Sequence, residues 1–199
     1  MAVSAFLLNR SSDLPKNSQA LMPRAVCPRC ERPAATCLCA TLPPPVAVRT
    51  GLVVLQHPAE AGHAKNTAAF LTLGLSPAAR LLRGEVFDTA LAGPGTALLY
   101  PGAGPPPADV SRLILLDGSW RQSRRLLAAN PWLAALPRLS LPPQPSRYAI
   151  RRAHRPGQLS TLEAGLHALA LLEGIPERFD PLWAAFDEFV RAGLSRRGD

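Results

Sequence analysis

The sequence predicts an α/β domain built on a mainly parallel sheet, preceded by a small cysteine knuckle. Three observations carry this. Short apolar runs alternate with segments of helical period along most of the chain. Each of three apolar runs ends in polar or aromatic residues, as strands do where a sheet opens onto a ligand. Four cysteines lie within thirteen residues, outside any periodic segment.

The 199 residues suit one domain with a small appendage. Apolar residues make up 47% of the chain and charged residues 18%, a globular composition. No apolar run approaches a membrane-spanning length, so no membrane partner is expected. The first residues lack a basic flank, a long apolar stretch and a cleavage site. The expectation is a cytoplasmic protein without a signal peptide.

In chain order, residues 1–25 show no sustained periodicity and read as a loose arm. Residues 26–45 form the knuckle, closed by Pro43-Pro44-Pro45. Residues 46–199 form the main domain. GLVVLQ (51–56) reads as a buried strand, followed by a helix around 63–73. TALLY (96–100) is a second strand, stopped by PGAGPPP. RLILLD (112–117) is the most apolar strand, followed by a helix over 119–129. PRLSL (137–141) reads as a short strand. A Pro- and Arg-rich loop, a helix over 160–173 and a last helix over 180–192 complete the chain.

Cys27-Pro-Arg-Cys30 and Cys37-Leu-Cys39 supply four thiols at close spacing. In a reducing compartment such a cluster reads as a structural zinc site. The one-residue spacer of the second pair is the less common feature. Four thiolates leave no open coordination position, so no catalytic role falls to this metal.

The net charge of +8 is localised. Arg112–Arg155 holds nine arginines and one acid, Asp117, while the remainder of the chain is balanced. A GC-rich genome explains Arg over Lys, but not why the excess sits in one quarter of the chain. Arginine matches phosphate with a planar fork, which suits nucleic acid.

The strand ends supply candidate site residues: Gln56 and His57, Tyr100, and Asp117-Gly118-Ser119-Trp120. A carboxylate at the mouth of a sheet can serve as a general base. Equally, Asp117 or Ser119 can cap the next helix. Trp120 can pack in the core or offer a stacking surface for a base. Lys65 and Asn66 can meet a phosphate or a carboxylate. Ser160-Thr161-Leu-Glu163 spells a capping box, and its place after the Arg-rich loop also makes it a candidate ligand rim.

Taken together, the cysteine cluster, QHPxE followed by KN, D-x-S-W after an apolar strand, SRYxxR and RPGQLSTLEA resemble the DTW-domain family over about residues 25–175. These are tRNA-uridine aminocarboxypropyltransferases. Ser119 stands where the family's namesake motif has Thr, and the hydroxyl is retained. The resemblance implies a SPOUT-like fold with a C-terminal knot. It also implies transfer of the 3-amino-3-carboxypropyl group of S-adenosylmethionine to N3 of a tRNA uridine. Asp117, Ser119 and Trp120 are then the expected catalytic residues, and Gln56, His57, Tyr100, Ser160, Thr161 and Glu163 the expected donor site. Lys65, Arg121, Arg124, Arg125, Arg147, Tyr148, Arg151 and Arg152 are expected to meet tRNA, and Cys27, Cys30, Cys37 and Cys39 to bind structural zinc. No obligate protein partner is expected. Two other readings remain at this point: a SPOUT-like RNA methyltransferase using the same donor, and a non-enzymatic zinc-containing nucleic-acid-binding module.

Overall fold

The computed structural model describes residues 25–63, 65–150 and 158–195. The expected arm, all but Ala25 of it, and the candidates Arg151 and Arg152 lie outside these residues. Five strands, β1 (Gly51–Gln56), β2 (Ala79–Arg83), β3 (Thr96–Leu99), β4 (Arg112–Asp117) and β5 (Arg138–Leu139), form one sheet in the order β2-β1-β4-β3-β5. Every pairing is parallel.

Helices cover both faces, because the central strands β1 and β4 carry apolar side chains on both sides. Leu52 and Val54 of β1 and Leu113 and Leu115 of β4 face one core, with α1 (Ala68–Gly74), α4 (Thr161–Glu173) and α5 (Asp180–Ser195). Val53, Leu55, Leu98 and Ile114 face the other, against α2 (Trp120–Ala129) and α3 (Pro131–Ala134). Each fully buried Leu or Val contributes about 1.5–3 kcal/mol. Gly165 lets α4 approach α1: a Cβ there would stand 2.5 Å from Leu71 Cδ2.

The strands expected at 51–56 and 112–117 are present with those bounds. The helix expected around 63–73 starts only at Ala68. Before it, His57 caps a short 3-10 turn over Pro58–Glu60, and Gly62 turns the chain with φ +72°. The strand expected at 137–141 is reduced to Arg138–Leu139. The strand β2 was not expected. Its segment, ARLLR, has no β-branched residue, and its conformation comes from pairing with β1. Among the described residues, no helix is long and apolar enough to cross a membrane.

The chain leaves β1 toward one edge, through α1 to β2, and leaves β4 toward the other, through α2 and α3 to β5. Adjacent strands whose connections depart in opposite directions leave a crevice at their carboxyl ends. Gln56 and Asp117 are paired in register at that point.

Candidate active site

A cavity of about 600 Å³ opens above the carboxyl edge of the sheet, within the usual size of a small-molecule site. The ends of β3 and β4 contribute Tyr100, Asp117, Gly118, Ser119 and Trp120. The segment after β5 contributes Ser140 to Pro143, and the start of α4 contributes Ser160, Thr161 and Ala164. Glu60, Lys65, Asn66, Thr67, Tyr148 and Gln158 also line it. Segments far apart in sequence thus meet because parallel strands all end on the same side.

Two capping boxes aim helix starts at this cavity. Ser119 Oγ accepts from the Gln122 N–H at 3.3 Å, and Gln122 Oε1 accepts from the Ser119 N–H. Gly118 leaves room for this closure, since a Cβ would stand 2.9 Å from Gln122 Cβ. Ser160 caps α4 in the same way, with Glu163 Oε2 accepting from the Ser160 N–H at 2.7 Å. The choice between Asp117 and Ser119 as cap is therefore decided: Ser119 caps α2.

Asp117 is free for another task. Its side chain is buried, with the residue only 4% exposed. Oδ2 accepts from Gln56 Nε2 at 2.8 Å and from Asn66 Nδ2 at 2.7 Å, and Oδ1 accepts from the Thr161 hydroxyl. All three donors are neutral. They hold the carboxylate in one orientation at the cavity wall and add no opposing charge.

Trp120 is half exposed, edge-on to Tyr100 with ring centres 5.8 Å apart. The Tyr100 ring also lies under the Arg138 guanidinium, 5.4 Å from its centre. Arg121, Arg124 and Arg125 follow on α2 with exposed side chains.

Several other candidates are occupied by their own neighbours. Gln56 touches Asp117 but does not line the cavity. His57 is buried behind it: Nδ1 accepts from the Ala59 N–H at 3.2 Å, and Nε2 lies 3.6 Å from Glu85. Glu163 is fully buried and joins the cap to the preceding loop, accepting from the Arg147 N–H at 2.6 Å and from the Ser146 hydroxyl. Arg147 lies over Trp183 and pairs with Asp187 at 3.1 Å. The Tyr148 ring packs on Phe186 and Phe189, and its hydroxyl donates to the Lys65 carbonyl at 2.6 Å. Of the two aromatic residues expected to stack on a base, Trp120 is the exposed one. The sequence reading missed Ser140 to Pro143 as wall residues and Arg83 as a partner of Gln56. No local motif marks either, because each is defined only by sheet order.

The sulfurs of Cys27, Cys30, Cys37 and Cys39 all lie within 4.8 Å of one another, and none is in a disulfide. Cys27–Cys39 and Cys30–Cys37 are each 3.7 Å apart. Four thiolates at about 2.3 Å from a zinc ion would be separated by about 3.8 Å, so the donor set fits a tetrahedral metal. Backbone N–H groups of Cys30 and Arg29 bring Cys27 down to about 6, whereas burial pushes Cys39 up to about 12.

A parallel sheet with capped helix starts around a cavity at its connection reversal defines a ligand-binding α/β protein. The chain belongs to the DTW-domain family, whose model matches residues 24–194. It is similar to tRNA-uridine aminocarboxypropyltransferase 2 of Drosophila melanogaster, 38% identical over 77% of this chain and 69% of that protein. The Mus musculus protein of the same name is 34% identical over 75% of this chain and 57% of its own length. tRNA-uridine aminocarboxypropyltransferase A of Arabidopsis thaliana is 32% identical over 54% of this chain and 52% of its own length. The chain thus spans little more than half the length of the mouse and plant relatives. No solved structure matches it.

Proposed function

We infer that this protein transfers the 3-amino-3-carboxypropyl group of S-adenosylmethionine to N3 of a uridine in tRNA, releasing 5′-methylthioadenosine. The observation that carries this reading is the convergence of the D-G-S-W segment and the Ser160-Thr161 helix start on one cavity, in a chain of the DTW family. The names of its relatives supply the reaction class.

In the reaction, the uridine N3–H loses its proton and N3 forms a bond to the terminal carbon of the donor's aminocarboxypropyl chain. The bond from that carbon to sulfur breaks, and its electron pair returns to sulfur, leaving a neutral thioether. The sulfonium is already a good leaving group, so no metal is needed at this centre. Asp117 accepts the proton, since its orientation is fixed by three donors at the cavity wall. Ser119, Tyr100, Ser160 and Thr161 orient the donor so that this carbon, not its methyl group, faces the uridine. Trp120 stacks on the unstacked uridine at the cavity mouth. Arg121, Arg124 and Arg125 on α2 hold tRNA phosphates, as does Lys65 at the cavity wall. The four-cysteine knuckle holds one zinc ion, which closes the knuckle covalently and supplies folding energy. A reducing, cytoplasmic compartment belongs to this reading, in keeping with four free thiols. So does the SPOUT-like C-terminal arrangement, supported by the all-parallel sheet and by the return of α4 to its carboxyl edge.

The test is incubation of the purified protein with S-adenosylmethionine and unmodified tRNA, followed by mass spectrometry of nucleosides and nucleoside thioethers. Aminocarboxypropyl-uridine with methylthioadenosine is the expected pair. S-adenosylhomocysteine with a methylated base would make the protein a methyltransferase, and neither product would make it a binding module.

A further inference from the structure

A hydrogen-bonded chain of side chains runs from the knuckle to the Asp117 carboxylate, and the next knuckle residue holds the backbone of a second residue that donates to it. In the chain, the Glu31 carboxylate pairs with Arg83 Nη2, Arg83 Nε donates to Gln56 Oε1 at 2.8 Å, and Gln56 Nε2 donates to Asp117 Oδ2. At the second residue, Arg32 Nη1 donates to the backbone carbonyl of Asn66, while the Asn66 side chain separately donates from Nδ2 to the same Oδ2.

A carboxamide has one acceptor end and one donor end. Both acceptor ends are taken, by Arg83 on Gln56 and by the Ala68 N–H on Asn66 at 2.8 Å. Each amide is thereby obliged to present its NH₂ group to Asp117. Rotating either would set donor against donor and acceptor against carboxylate. The outer partners thus determine what the carboxylate sees.

The knuckle holds Arg83 through Glu31 and the Asn66 backbone through Arg32. The turn after Cys27 is closed by Glu31 N–H to the Cys27 carbonyl and Cys27 N–H to the Arg32 carbonyl, both at 2.8 Å. Glu31 has φ +54°, in the left-handed region that favours glycine. Glycine would hold that turn with less strain but would bring no carboxylate to Arg83. Arg32 is buried, lies 4.8 Å from the centre of the Phe189 ring, and also donates to the Thr36 carbonyl at 2.9 Å.

We propose that the cysteine knuckle is a positioning device for the Asp117 carboxylate, with Glu31 and Arg32 as its two positioning residues. This rests on the reading of Asp117 as proton acceptor. It gives the knuckle a part in the rate of the reaction besides its part in folding.

The test compares Arg83→Met, Glu31→Gln, their double variant and Asp117→Asn in the full chain, measuring kcat, donor KM and thermal midpoint. Arg83→Met is expected to lower kcat about tenfold through misorientation, with donor KM within about twofold of wild type. Glu31→Gln is expected to lower kcat less, and the double variant no further than Arg83→Met, because one chain is cut only once. Arg83→Lys, which keeps the charge but not the fixed Nε donor, recovers only part of the loss. Wild-type kcat in Arg83→Met and Glu31→Gln beside an inactive Asp117→Asn would overturn the relay and leave the Asp117 reading standing. Wild-type turnover in Asp117→Asn would remove both. Additive losses that track thermal midpoint would mark a structural role alone and also overturn the proposal. If Arg83→Met fails to fold, Glu31→Gln at the exposed end of the chain decides: unchanged kcat there overturns it.

Discussion

Gln56 and Asp117 stand side by side in register at the carboxyl ends of β1 and β4, and the Gln56 amide donates to the Asp117 carboxylate at 2.8 Å. These residues are 61 apart in the chain, and both are nearly inaccessible to water. The pair lies where the connections of the sheet reverse direction, so the acid at the cavity wall is held by the strand next to it.

Asp117→Asn separates a proton acceptor from a structural acceptor. The asparagine oxygen can take the place of Oδ2 and still receive Gln56 and Asn66. Its NH₂ then faces the Thr161 hydroxyl, which can accept as well as donate. Thermal stability and donor binding should stay close to wild type, while turnover falls at least about a hundredfold. Thermal melts, donor titration and single-turnover assays check the three parts, and turnover within a few-fold of wild type would remove Asp117 as the base.

Arg124 and Arg125 are exposed on α2, the helix whose first residue, Trp120, lines the cavity. Replacing both by Ala should weaken tRNA binding. The slope of log affinity against log salt should fall by about 0.7–0.9 for each phosphate that is no longer neutralised. Binding isotherms at several salt concentrations measure this, and an unchanged slope in folded protein would place the tRNA elsewhere.

Cys37 is exposed, yet its sulfur stands 3.7 Å from that of Cys30 inside the cluster. Metal analysis of protein purified without chelator should find about one zinc per chain. Cys37→Ser should lower that content and the thermal midpoint together. A metal content near zero in wild type would leave the thiols as packing groups only.

Glu163→Ala removes the cap partner of Ser160 and the acceptor of the Arg147 N–H and Ser146 hydroxyl, with Glu163 and Ser160 themselves buried. Destabilisation of about 1–3 kcal/mol is expected from the missing cap partner and the buried Ser160 N–H left without its acceptor. Chemical denaturation measures it. A change below about 0.5 kcal/mol would mean that the loop before α4 finds other partners.

Two strands and both capped helices were legible because their signals are local. RLILLD and GLVVLQ are apolar on both faces, as strands covered by helices on each side must be. Ser119 and Ser160 precede helices with Gln or Glu at the third position, which is the capping box itself. The strand β2 was not legible, since ARLLR reads equally well as helix until β1 offers it a partner. The site was legible in part. Asp117, Ser119, Trp120, Ser160 and Thr161 surround one cavity, whereas Glu163 and His57 are occupied by their own neighbours away from it. Nothing in one dimension distinguishes a glutamate that rims a cavity from one that seals a cap beneath it.

By itself the sequence determined the alternation of strand and helix, the four-thiol cluster, the basic quarter of the chain and the family. These follow from spacing, composition and order, which are properties of neighbours along the chain. Only the tertiary structure decided which side chains meet Asp117. Gln56, Asn66 and Thr161 reach it from three separate segments, and Glu31 and Arg32 stand behind two of them. The physical reason is that a buried carboxylate must find its hydrogen bonds wherever folding brings donors. In a parallel sheet those donors come from strand ends and loops that sequence separation does not reveal.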